Sequence, residues 1–182
     1  MARSTPIHPD HAANLFGALA LAVTDRMFDA VEESGESGTT AVALSALYQF
    51  LDHPTVDLLR RVLGLTSSGA VRLVDRLESA GWVQRVDAED GRATAVRLTA
   101  AGRRIAKRVS DARTTALKQA LSTLSPADTR EFERLVSLVL VGLKRGPGAV
   151  RWLCRFCDMD ACGWADGHCP VRNAVRERAQ SM

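Results

Sequence analysis

The chain has 182 residues, a formal net charge of +3, 46% hydrophobic residues and only 5% aromatics, which suits one compact core of packed Leu, Val and Ala with at most a small appendage. No apolar run approaches the ~20 residues of a membrane span, and the opening Met1-Ala2-Arg3-Ser4-Thr5-Pro6 lacks the apolar centre and small-residue cleavage site of a signal peptide. A cytoplasmic protein with no membrane partner is expected, and in that reducing compartment the four cysteines are not expected to form structural disulfides.

Residues 1–9 read as a flexible arm. Helical spacing of Leu15, Leu19, Ala22, Val23 and Met27 predicts a first helix from a cap at Asp10 to about Ser34. After the Gly/Ser-rich 34–38, Thr39 or Thr40 can cap a second helix through Phe50. Thr55 caps a short third helix that Gly64 ends, and Thr66 caps a fourth that runs to Ser79 or Ala80. Beyond Gly81 the period falls to two. Val83, Val86, Val96 and Leu98 mark two strands joined by a loop containing Asp90-Gly91. A long helix is predicted from Thr99 to about Leu124, and another begins at Ser125-Pro126, with serine as cap and proline at the first helical position. Gly146-Pro147-Gly148 breaks that helix before a cysteine-rich end.

Two short helices across the turn Gly64-Leu65-Thr66 make a helix-turn-helix, whose second helix enters the major groove of DNA. Ala70, Leu73, Val74 and Leu77 share its inner face, whereas Ser68, Arg72, Arg76 and Ser79 share the outer one. Hydroxyls and guanidinium forks in that order suit base edges and phosphates. Thr66, Ser67 and Ser68 surround the first turn, where free N–H groups and the helix dipole favour a phosphate. An amphipathic surface helix with ordinary arginines would look the same, and the hairpin discriminates. Arg92 at its tip, held extended by Asp90, fits the negative potential of a narrow minor groove, and Arg85 adds charge at its base. A helix-turn-helix followed by a basic-tipped hairpin is a winged helix, so the fold expected is mainly α with a small β-hairpin wing.

The run LVDRLESAGWVQR at 73–85 and the run DAEDGRATAVRLTAAG at 87–102 resemble the recognition helix and the D-x-R wing with its L-T-x-x-G exit in the multiple antibiotic resistance regulator (MarR) family. The resemblance spans roughly residues 10–145 and is specific over about 66–102. It implies a DNA-binding core at 39–100 and dimerisation helices at 10–34 and 100–145. It also implies a homodimer that binds palindromic double-stranded operator DNA, acts as a repressor rather than an enzyme, and is released by a small-molecule effector; the cysteines of the tail add a redox or metal change there as a second expected means of release. The tail, 146–182, departs from the family, whose members end near the position of Lys144.

All four cysteines lie in that tail, as Cys154-x2-Cys157-x4-Cys162-x6-Cys169-Pro170. Converging thiolates with Gly163 and Gly167 in short loops predict a metal site. Two ligations stay open. Four thiolates suit a tetrahedral structural zinc. The compact loop closing on Cys-Pro suits a [4Fe–4S] cluster, which would make the chain a dedicated iron–sulphur or thiol redox-sensing regulator. Trp152, Phe156 and Trp164 interleave with the cysteines and are expected to dock the tail on the helices, since so short a loop has no core of its own.

Overall fold

The computed structural model describes residues 10–33, 35–36, 38–87, 94–143 and 149–180. The helices are α1 (His11–Glu32), α2 (Gly38–Gln49), α3 (Val56–Leu63), α4 (Ser67–Ser79), α5 (Ala100–Ala120), α6 (Pro126–Gly142), α7 (Ala149–Leu153) and α8 (Pro170–Gln180). Strands β1 (Val83–Asp87) and β2 (Thr94–Leu98) pair antiparallel, with Val83 opposite Leu98 and Asp87 opposite Thr94.

Local chemistry sets most boundaries. Thr55 Oγ1 accepts from Leu58 N at 3.2 Å, Thr66 Oγ1 from Gly69 N at 3.1 Å and Ser125 Oγ from Asp128 N at 3.2 Å. Each satisfies one orphan donor of a helix start. Gly64 and Gly81 take the left-handed conformation just past α3 and α4, at φ +68° and +70°, which suits a residue without a Cβ.

Three expected boundaries move. Asp10 does not cap α1 with its side chain; its carbonyl accepts from Asn14 N at 2.9 Å instead. Helix α2 begins at Gly38, so Thr39 and Thr40 lie inside it. The reason is tertiary: a Cβ at Gly38 would stand 3.3 Å from the Phe28 ring, so glycine lets α2 start close against α1. Helix α5 stops at Ala120 rather than near Leu124, and the chain turns over 121–124 through Ser122 N to Gln119 O and Leu124 N to Leu121 O.

The core gathers Leu44 and Leu47 of α2, Leu59 and Val62 of α3, Leu73 and Leu77 of α4, and Val83, Val96 and Leu98 of the hairpin. Thr55 bridges Ala95, and Pro54 O accepts from Val96 N at 2.9 Å, so the segment before α3 adds a third short edge to the hairpin. Helix α5 leaves β2 and packs on α1 and α2, while α6 rests chiefly on α8 and has no buried residue.

The exit from the hairpin is the tightest point. Thr99 N donates to Trp82 O at 2.9 Å, and the Thr99 hydroxyl donates to Gly81 O at 2.7 Å while accepting from Gly102 N at 3.0 Å. A Cβ on Gly102 would overlap the Trp82 carbonyl oxygen. Gly102→Ala is therefore expected to destabilise the chain by about 1–3 kcal/mol, the usual cost of overpacking. The check is urea unfolding, with a lower midpoint at unchanged slope. An unchanged midpoint would mean that the contact yields freely.

Candidate nucleic-acid interface and cysteine lobe

Helix α4 is held by one apolar face. Ala70, Leu73, Val74 and Leu77 are buried against the core, which leaves Thr66, Ser67, Ser68, Arg72 and Arg76 exposed. The hydroxyls of Thr66 and Ser68 stand 3.4 Å apart at its N-terminal end. Arg72 and Arg76 enter no ion pair among the described residues. Val71 lies on the same side and is 46% exposed. An apolar residue beside two free guanidiniums is the kind of group that contacts a thymine methyl. Period alone could have found it, since it breaks the apolar stripe of an otherwise regular helix.

Arg85 has a different place. Its guanidinium meets Asp75 at 2.6 Å and also binds Glu78, and its backbone N donates to Glu78 Oε1 at 3.2 Å. Strand β1 is thereby braced onto the far half of α4, so Arg85 orients the hairpin on the helix instead of standing free beside Arg72 and Arg76. Asp90 and Arg92 lie outside the described residues, as does the 1–9 arm.

The tail forms a lobe. Cys157 N donates to Cys154 O at 2.9 Å, so a tight turn returns the second thiol toward the first. Asp158 Oδ1 accepts from Asp160 N and Ala161 N, each at 3.0 Å, and Cys162 N bonds Asp158 O at 3.0 Å. Gly163 and Gly167 take φ of +61° and +76°, and His168 N closes the loop on Gly163 O at 2.9 Å. Cys169 then stands just ahead of α8, where Asn173 N bonds its carbonyl at 3.1 Å and Asn173 Nδ2 bonds Gly167 O at 2.7 Å.

The four thiols sense one another. Cys154 shares a hydrogen bond with Cys157 and feels Cys169 and Cys162; Cys162 shares one with Cys169. The hydrogen bond from Cys154, against the opposing effect of burial and with help from Arg113, brings Cys157 down to about 7. The same bond, with burial, pushes Cys154 up, while burial first and then Cys169 raise Cys162 to about 12. Cys154 and Cys169 are buried. No three His, Cys, Asp or Glu side chains among the described residues stand assembled around a metal position.

The lobe docks on the body through three contacts. Phe156 stacks on Phe28 of α1, with centroids 5.9 Å apart, and packs on Val31, Ala41 and Val109. Arg113 of α5 lies over the Phe156 ring at 5.5 Å. Gln49 of α2 accepts from Met159 N at 3.0 Å and donates to Ser110 Oγ of α5 at 3.4 Å. Of the three aromatics expected to dock the tail, Phe156 does so. Trp164 packs within the lobe under Arg172 at 4.8 Å, and Trp152 is 47% exposed beside Arg155. Phe28, Gln49 and Arg113 carry no local signal that would mark them, because each meets the lobe across a long stretch of sequence. A cleft of about 750 Å³ opens between the end of α2 and the lobe, lined among others by Phe50, Cys154, Trp164 and Arg172.

Residues 35–93 match the model of the MarR family. Among solved structures, the apo form of MarR from E. coli is similar with 20% identity and a TM-score of 0.61, covering 74% of this chain and 99% of that one. MepR, a transcription regulator of the Staphylococcus aureus multidrug efflux pump MepA, is similar with 17% identity and a TM-score of 0.63, over 72% of this chain and 97% of that one. A MarR family protein of Mycobacterium tuberculosis, Rv2887, has 25% identity and a TM-score of 0.57, over 69% and 91% of the two chains. No curated protein matches the chain by sequence.

The brace at Arg85 has a measurable consequence. Arg85→Ala should lower the stability of the chain by about 0.5–1 kcal/mol, the scale of a partly exposed ion pair. In a double-mutant cycle most of that loss should disappear when Asp75 and Glu78 are already neutral. Full additivity would show that the brace contributes nothing.

Proposed function

We propose that the chain, whose residues 35–93 match the MarR family model, is a sequence-specific transcriptional regulator, acting as a repressor, that binds palindromic operator DNA as a homodimer. The observation that carries this reading is the outer face of α4. Ser68, Val71, Arg72 and Arg76 stand exposed together on a helix whose other face is locked into the core. Arginine forks read guanine edges or grip phosphates, and hydroxyls at a helix start hold phosphate. The wing, with Asp90 and Arg92 at its tip, would reach the adjacent minor groove.

Homodimerisation is supported by the surfaces left open at both ends of the chain. On α1, Leu15, Phe16, Leu19 and Leu21 are 47–65% exposed; on α6, Leu135, Leu138, Val139 and Leu143 are 44–61% exposed. Apolar faces of that kind mark an interaction site. A second copy suits them, because a palindrome needs two heads related by a two-fold axis. Release from DNA is assigned to a small molecule in the cleft beside Cys154 or to a change at the cysteine lobe.

Binding to operator and scrambled duplexes tests the reading. Arg72→Ala should cost about 1–3 kcal/mol on operator DNA and reduce discrimination, if that arginine reads a base. Arg76→Ala and Arg92→Ala should each make the salt dependence shallower by about one counterion. Affinity unchanged in all three would reject the interface. For the dimer, Leu138→Glu should shift sedimentation toward the monomer at micromolar concentration with the winged-helix body still folded; an unchanged sedimentation coefficient would move the dimer interface elsewhere.

A further inference from the structure

We infer that the lobe holds one thiophilic metal centre through Cys154, Cys157, Cys162 and Cys169, with the partly buried Arg113 of α5 as its counter-charge. Backbone turns, two of them at glycines of positive φ, fold the stretch that carries all four cysteines into one small lobe. Two of the four, Cys154 and Cys169, are among the few residues of the lobe that are buried. Apolar packing within the lobe is therefore slight beyond its Phe156 anchor on the body, and a metal supplies folding energy to segments of this size.

Arg113 gives the independent observation. Its Nε is buried and has no hydrogen-bond partner. Burial lowers its pKa, and the groups that act in the opposite sense are Cys157 and Asp158 of the lobe. A partly desolvated cation with an unsatisfied Nε–H gains from an anion placed beside it. Four thiolates around a divalent zinc leave a doubly negative centre, and four thiolates around an oxidised [4Fe–4S] core leave the same charge. Either centre would supply what Arg113 lacks. Ligation would replace the thiol protons by the metal and draw in side chains of which no three surround a metal position as placed.

The test uses the full chain, purified under nitrogen without chelator. Expected is about one equivalent of zinc with no visible colour, or about four of iron with matching sulphide and a brown absorption. Cys154→Ser and Cys169→Ser should each retain less than a tenth of the wild-type metal, since they supply ligands from opposite ends. Because serine variants could lose metal by unfolding the lobe, Arg113→Gln serves as the second variant. It keeps all four thiols and should lose metal to a competing chelator at about 10–100-fold lower chelator concentration. Wild-type protein with less than a tenth of an equivalent of either metal overturns the site, as does full metal content in both serine variants. Chelator resistance of Arg113→Gln equal to wild type overturns the role of Arg113. The DNA-binding reading is judged separately, since Arg72→Ala should leave metal content unchanged.

Discussion

The carbonyl of Trp82 is the point on which the head of this protein depends. It accepts the backbone N–H of Thr99 at 2.9 Å and lies close to the Thr99 hydroxyl at 3.3 Å. Gly102 presses against it so closely that no side chain fits. Three elements meet there: the end of α4, the root of the hairpin and the start of α5. That carbonyl takes its hydrogen bond from the Thr99 N–H, while the hydroxyl of the same threonine donates chiefly to Gly81 O and caps the helix it precedes. The angle between the recognition helix and the hairpin is therefore fixed by backbone groups, and the Arg85 brace to Asp75 and Glu78 fixes it a second time from the side chains.

Helix α5 carries this rigidity outward. It begins at the Trp82 contact and, three turns on, presents Ser110 to Gln49 and Arg113 to Phe156. The cysteine lobe is thus seated on the same helix that leaves the hairpin. Its seat is mixed in character. Phe156 is an apolar anchor between α1, α2 and α5; Gln49 is a polar bridge with both ends engaged. Arg113 is the exception in a body whose buried side-chain polar groups are otherwise satisfied among the described residues. Natural proteins retain such a group where function or an additional partner compensates it.

The two ends of the chain behave unlike its centre. Helix α4 buries Ala70, Leu73, Val74 and Leu77 and α3 buries Leu59 and Val62, whereas α1 keeps most of its length exposed and α6 buries no residue. Helices of this length gain their stability mainly from packing an amphipathic face. A single copy leaves that gain unrealised in α1 and α6, and the proposed second copy would supply it.

Local grammar was sufficient for the caps Thr55, Thr66 and Ser125, for the glycine stops at 64 and 81, for the helix-turn-helix and for the hairpin that follows it. Each rests on interactions within about four residues, where spacing and residue type decide the outcome. The L-T-x-x-G exit was also legible as a pattern, but its reason was not, because Gly102 is required by a carbonyl twenty positions earlier. Residues whose partners are remote carried no local mark. Gln49 meets Met159 across 110 residues; Arg85 reads as one more basic residue until α4 brings Asp75 and Glu78 to it; α2 starts at Gly38 because Phe28 is there. Spacing showed that the four thiols could converge. Only the fold seated their segment against the partly buried Arg113, since desolvation is a property of what surrounds a side chain and not of the side chain itself.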